Sequence, residues 1–169
     1  KIVIGYPIAI LNEKRIKNSL TFNYKDTPLK IGYFGAFTRS VREPNNYIIN
    51  IANYLDDEIK HAWYIHKESK KFFSSIKNIS SHQFFDILPR ELALEAMVSK
   101  MHVLLSIGNF NKYQMPSKVI EYISLGKPVL HFAEIEDDPL YNFNNLFDNL
   151  KIINSETTKN ELDNYFENI

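Results

Sequence analysis

Ser117, Lys118 and Glu121 are the residues of this chain best suited to chemistry, and the chemistry they suit is the holding of a phosphorylated ligand. They open the stretch Pro116-Ser-Lys-Val-Ile-Glu-Tyr-Ile-Ser-Leu-Gly-Lys-Pro-Val129. Its punctuation predicts a helix over about Pro116 to Leu125. Proline suits the first helical position, Gly126 the left-handed residue after the last turn, and Pro128 stops the helix from resuming. A lysine in the first turn faces the positive end of the helix dipole, which is unfavourable unless an anion sits there. Ser117 and Glu121 share one face, about 6 Å apart along the axis, close to the span from a diphosphate to a ribose. Amides and Ser117 would hold phosphate oxygens, while Glu121 would accept hydrogen bonds from ribose hydroxyls. The competing structural reading makes Ser117 a cap and Lys118 with Glu121 an ordinary i,i+3 pair.

Positioning such a helix requires a framework, and the order of elements predicts one. Short apolar runs alternate with amphipathic stretches, as in an open parallel sheet covered on both faces. Strands are expected at Leu29 to Phe34, His61 to Ile65, His82 to Phe85, Met101 to Ser106, Pro128 to Phe132 and Leu150 to Ile153. Helices are expected at about Asn45 to Asp56, Ser69 to Ile76, Pro89 to Ser99, Pro116 to Leu125 and within Glu156 to Glu167. The fold class is therefore α/β, a doubly wound Rossmann-like parallel sheet of about six strands in the order 3-2-1-4-5-6. Residues 1–28 read as a connection or linker: an apolar opening run, Lys1 to Ile10, then a polar stretch to Pro28. Residues 29–169 read as the folded domain. Glu134 to Pro139 reads as an acidic, exposed loop.

In that strand order the loops after the first and fourth strands flank the ligand crevice. The first of them, Gly35 to Pro44, offers a glycine for close approach and the cations Arg39 and Arg42. Arg42 is the better held, beside Pro44 and a helix start, whereas Arg39 suits solubility. The second loop, Ser106 to Pro116, offers Asn109, Tyr113, Gln114, Met115 and Pro116 as lining. Leu88, in the loop after the third strand, would sit further along the crevice. The helix carrying Lys118 opens from the second loop, so the chemically suited residues fall where topology puts a ligand.

Composition narrows the alternatives. Lysine plus arginine equals aspartate plus glutamate at 20 each, which does not advertise nucleic acid, and no apolar run approaches the length of a membrane span. With no cysteine, disulfides, thiolate chemistry and cysteine zinc sites are excluded. The five histidines show no metal-ligand spacing and read as structural, so no metal site is expected. Neither a Walker motif nor a full Gly-x-Gly-x-x-Gly fingerprint is present.

Gly35 with Arg42-Glu-Pro44, followed by Gln114-Met-Pro-Ser-Lys-Val-Ile-Glu-Tyr-Ile-Ser-Leu-Gly-Lys-Pro-Val129, resembles the C-terminal, donor-binding domain of a GT-B glycosyltransferase, close to the large retaining family 4 (glycosyl transferases group 1). The resemblance covers most of the chain from about Leu29. It implies one half of a GT-B architecture whose N-terminal acceptor-binding domain is absent here, with residues 2–7 matching the interdomain connection. It further implies a nucleotide-sugar donor, a UDP- or GDP-sugar, with no cofactor and no metal required. The diphosphate would be held by Gly35, Arg42, Ser117 and Lys118, and the ribose by Glu121, the second acid of a Glu-x7-Glu motif. The first acid of that motif falls at Tyr113, a departure in the half of the pattern that meets the sugar. The catalytic residues stay unassigned. The resemblance implies a hexosyltransferase-like enzyme of polysaccharide biosynthesis acting on a glycan, lipid-linked or protein acceptor, this half being inactive alone. The expected location is cytoplasmic, with peripheral association of the full protein at the inner face of the membrane left open. Two other readings stand beside it: a nucleotide-sugar epimerase, and a non-catalytic GT-B-like partner subunit, which Tyr113 favours.

Overall fold

The computed structural model describes residues 28–55 and 57–169. The Lys1 to Ile10 run, the linker as far as residue 27 and Asp56 at the expected end of a helix lie outside the described residues. Six strands form one all-parallel sheet: β1 (Lys30–Phe34), β2 (Lys60–Tyr64), β3 (His82–Phe85), β4 (Val103–Ile107), β5 (Val129–Phe132) and β6 (Leu150–Ile153). Their spatial order is β3-β2-β1-β4-β5-β6, the doubly wound Rossmann-like order expected from the alternation of runs. β1 and β4 are adjacent, with Ile31 opposite Val103 and Gly32 opposite Leu104. The chain therefore reverses its direction of winding between them, and the crevice lies beyond their C-terminal ends.

Among the described residues four α-helices accompany the strands: α1 (Asn45–Asn50), α2 (Arg90–Lys100), α3 (Lys118–Ser124) and α4 (Lys159–Glu167). They cover both faces, which is why β4 is an unbroken apolar-rich run buried along its whole length. Leu104 points into one core with Ala93, Leu94 and Met97 of α2 and Val119 and Tyr122 of α3. Val103, Leu105 and Ile107 point into the other, with Tyr47 and Ile48 of α1 and Leu162 of α4. The two-residue strand period sorts side chains between the layers. The second core is strongly aromatic around Trp63, which is fully buried and meets Tyr33, Phe37, Tyr47 and Phe73.

Several expected boundaries move, each for a local reason. The first helix is α-helical only to Asn50; Ile51 leaves helical geometry and Ala52–Tyr54 continues as a 3-10 turn. The helix expected over Ser69 to Ile76 is instead a 3-10 segment, Lys67–Phe73, whose Phe72 and Phe73 both meet Phe37. The last helix starts at Lys159 because Thr158 and Glu161 form a reciprocal capping box. The acidic loop after β5 is only partly exposed: Asp138 is buried, accepts from Leu140 N at 2.9 Å and lies 3.2 Å from His131 Nε2. Among the described residues no helix is long and apolar enough to cross a membrane.

Candidate functional site

Lys118 begins α3, so Pro116 is not its first helical residue; Val119 N instead donates to Pro116 O at 3.2 Å, closing a turn ahead of the helix. Ser117 occupies the N-cap position, yet its side chain makes no capping hydrogen bond, in contrast to the structural reading of the sequence. Gly126 adopts φ 71°, the left-handed conformation expected after the last turn. Tyr122, one turn in, donates from its hydroxyl to Phe34 O at 3.1 Å. That bond ties α3 to the end of β1 and fixes the helix start beside the first crevice loop.

The two loops are joined by Asn109. Arg42 Nε donates to Asn109 Oδ1 at 3.0 Å, and Asn109 Nδ2 donates to Gln114 O at 2.7 Å. Asn109 is 1 % exposed, so these bonds have no competition from water. Arg42 is thus oriented by the opposite loop, rather than by its neighbour Pro44 as the sequence suggested. Its guanidinium also lies near Tyr33, whose phenol burial pushes up to about 12, against a partial downward pull from Arg42. Gly108, just before Asn109, has no room for a side chain: an added Cβ would fall 2.5 Å from Asp138 Oδ2 and 3.1 Å from Glu134 N. Asn109→Ala should leave Arg42 unanchored and Gln114 O unpaired, costing about 2 kcal/mol; denaturant titration of the purified chain measures the loss.

Charges from three elements meet at the head of α3. Burial pulls the Lys118 ammonium below the usual lysine range; Glu121 opposes that, while Arg42 and Arg90 add to it. Arg90, at the first position of α2, pairs with Glu121 through Nη2 to Oε1 at 3.2 Å. Arg90 carries a signal akin to that of Lys118, a cation in the first turn of a helix with a proline just ahead of it, Pro89 immediately before Arg90 and Pro116 two residues before Lys118. Glu121 is half-buried and its ion pair is with Arg90; no ion pair with Lys118 forms within 4.0 Å.

The remaining candidates separate. Gly35 N donates to Tyr64 O at 3.1 Å, and a side chain there would press on the Tyr33 ring. Arg39 is exposed at the tip of the turn closed by Thr38 and Arg42, and is not part of the network. Tyr113, 89 % exposed, stands at the rim. Gln114 contributes its carbonyl, not its side chain, to the contact with Asn109. Met115 is buried in the core cluster, Leu88 is partly buried and packs against it, and Pro116 is buried. Apolar side chains beside a polar mouth gain more from the core than from water.

Four of the five histidines are structural supports. His61 meets the Tyr47 hydroxyl at 2.8 Å, His82 Nδ1 accepts from Trp63, His102 Nδ1 accepts from Lys30 N, and His131 lies between Ser106 and Asp138. No group of three metal-ligating side chains forms among the described residues. No protein-family model and no curated protein matches this chain, which leaves the arrangement of these side chains as the ground for a functional reading.

Proposed function

We propose that this chain is the donor-binding half of a GT-B-type glycosyltransferase, with a nucleotide sugar in the crevice between the loops after β1 and β4. The observation that supports this is the gathering of Arg42, Arg90 and Glu121 about Lys118, with Arg90 paired to Glu121, beside the C-terminal ends of adjacent parallel strands. Cations from three separate elements suit the two charges of a diphosphate, and Arg42, oriented by Asn109, offers a planar fork for its oxygens. Glu121 suits the ribose hydroxyls, with Arg90 holding its carboxylate in place. In transfer, an acceptor hydroxyl oxygen bonds to the anomeric carbon and gives up its proton, while the bond from the sugar to the diphosphate breaks and the diphosphate leaves with the electron pair. The same cations would stabilise that charge as it develops. Turnover then needs an acceptor domain supplied from outside residues 29–169.

Calorimetric titration with UDP, GDP, ADP and their sugar conjugates tests the reading. One nucleotide should bind selectively. Glu121→Ala should weaken it by about 1 to 3 kcal/mol through lost charged hydrogen bonds, with the fold intact, and Lys118→Ala by a similar amount. Unchanged affinity in both variants would sink the assignment. The partner-subunit reading keeps one supporting observation: Tyr113 stands exposed at the rim where the family motif has an acid. Donor binding by this chain without turnover, even when an N-terminal half is supplied, would favour it.

A further inference from the structure

A second concave site lies on the sheet face over β1, β2 and β3, beside the C-terminal end of α2. It is a cavity of about 270 Å³, lined by Lys30, Lys60 and Lys100, with Tyr64, Phe85 and Met101 among its apolar walls. The strand period explains the composition. Lys60 and Tyr64 on β2, with Phe85 on β3, alternate onto one face, and Lys30 opens β1 beside them.

Three features set this cavity apart from an ordinary solvated lysine surface. Its lining contains three lysines and no carboxylate. None of the three forms an ion pair within 4.0 Å among the described residues. The charge is felt by the neighbours: Lys60 adds to the burial that pulls His82 down to about 4, and Lys127 and Lys30 do the same to His102. Like charges gathered without counter-charges repel one another, and a bound anion removes that repulsion. The far wall is flat and aromatic. The Tyr64 and Phe85 rings stack at 4.7 Å with 18° between their planes, and Tyr64 stacks on Phe34 at 4.3 Å.

From this geometry we infer that the cavity binds a phosphate monoester carrying an apolar or aromatic body, the phosphate between Lys30, Lys60 and Lys100 and the body against Tyr64 and Phe85. Lys30 and Lys60 begin their strands, whereas the crevice of Arg42 and Lys118 lies past the strand C-termini. The inference therefore stands independently of the donor-binding proposal.

The same chemistry is found in a soluble phosphate monoester and in the phosphate of a lipid headgroup. The test uses phenyl phosphate, inorganic sulfate at equal ionic strength, and vesicles of phosphatidylcholine with and without phosphatidic acid. Each is titrated against the whole chain, its Lys30→Gln/Lys60→Gln/Lys100→Gln variant and a Tyr64→Leu variant. Phenyl phosphate should bind more tightly than sulfate, at least tenfold more weakly to the triple variant and several-fold more weakly to Tyr64→Leu. Binding confined to phosphatidic acid vesicles and lost in the triple variant supports the same site with a lipid source. Equal affinity for sulfate and phenyl phosphate would overturn the inference, as would binding unchanged in the triple variant or absent for every probe.

Discussion

Acidification from pH 6.5 to 4 should strongly destabilise this domain, because three buried histidines are held neutral in its fold. His61, His82 and His102 are buried at 1 %, 7 % and 1 % exposure. Burial, with Lys60 adding to it, holds His82 down to about 4. Burial, with Lys127 and Lys30 adding, does the same to His102, and burial beside His82 holds His61 well below the usual histidine range. The His61 and His82 rings stack at 4.6 Å, so a proton on either would face the other, and Lys60 stands nearby. The unfolded chain takes up protons near pH 6.5 while the folded chain refuses them until about pH 4. Stability fully present above pH 6.5 is therefore lost as the pH falls through that window. Each histidine contributes a slope of up to about 1.4 kcal/mol per pH unit. Glu134 opposes one of them: burial holds its carboxyl up to about 7, so the folded state keeps a proton that the unfolded state has released. The net loss should be on the order of 4 kcal/mol, a large part of a typical domain's 5 to 15 kcal/mol. Denaturant midpoints measured at half-unit pH steps give the slope directly. His82→Asn, which keeps an acceptor for the Trp63 indole, should flatten it by roughly half. A midpoint independent of pH between 6.5 and 4 would show that these rings are not held neutral.

Trp63→Ala should be the most damaging single substitution, costing about 3 to 5 kcal/mol by chemical denaturation. Trp63 has no exposed surface and touches rings from β1, α1, β3 and the 3-10 segment after β2. It also donates to His82 Nδ1 at 3.0 Å, so truncation leaves that buried acceptor unpaired as well as opening a cavity. Trp63→Phe keeps most of the ring contact and should cost less than half as much. Equal losses in the two variants would place the energy in the hydrogen bond rather than in the packing.

Much of the architecture was legible from local pattern. Apolar runs bounded by glycine, proline and polar turns located all six strands, and their alternation with helical stretches dictated parallel pairing and the strand order. Gly126 and Pro128 marked the end of α3 because backbone conformation at those positions depends on the residue alone. The helix expected over Ser69 to Ile76 forms as the shorter 3-10 segment Lys67–Phe73, whose conformation serves the placement of Phe72 and Phe73 against a ring on a different element.

The candidate site divides along the same line. Its residue types, Arg42, Ser117, Lys118 and Glu121, follow from composition at a helix start and from loops whose position the strand order sets. The sequence alone determined the α/β class, the winding and which two loops face each other, because these depend on periodicity and turn chemistry within a few residues. Only the tertiary structure decided that Asn109 orients Arg42, that Arg90 holds Glu121, that Met115 and Leu88 serve the core, and that three lysines share one uncompensated cavity. Each of those is a contact or a convergence between residues far apart in the chain, set by the packing of whole elements, which no local spacing encodes.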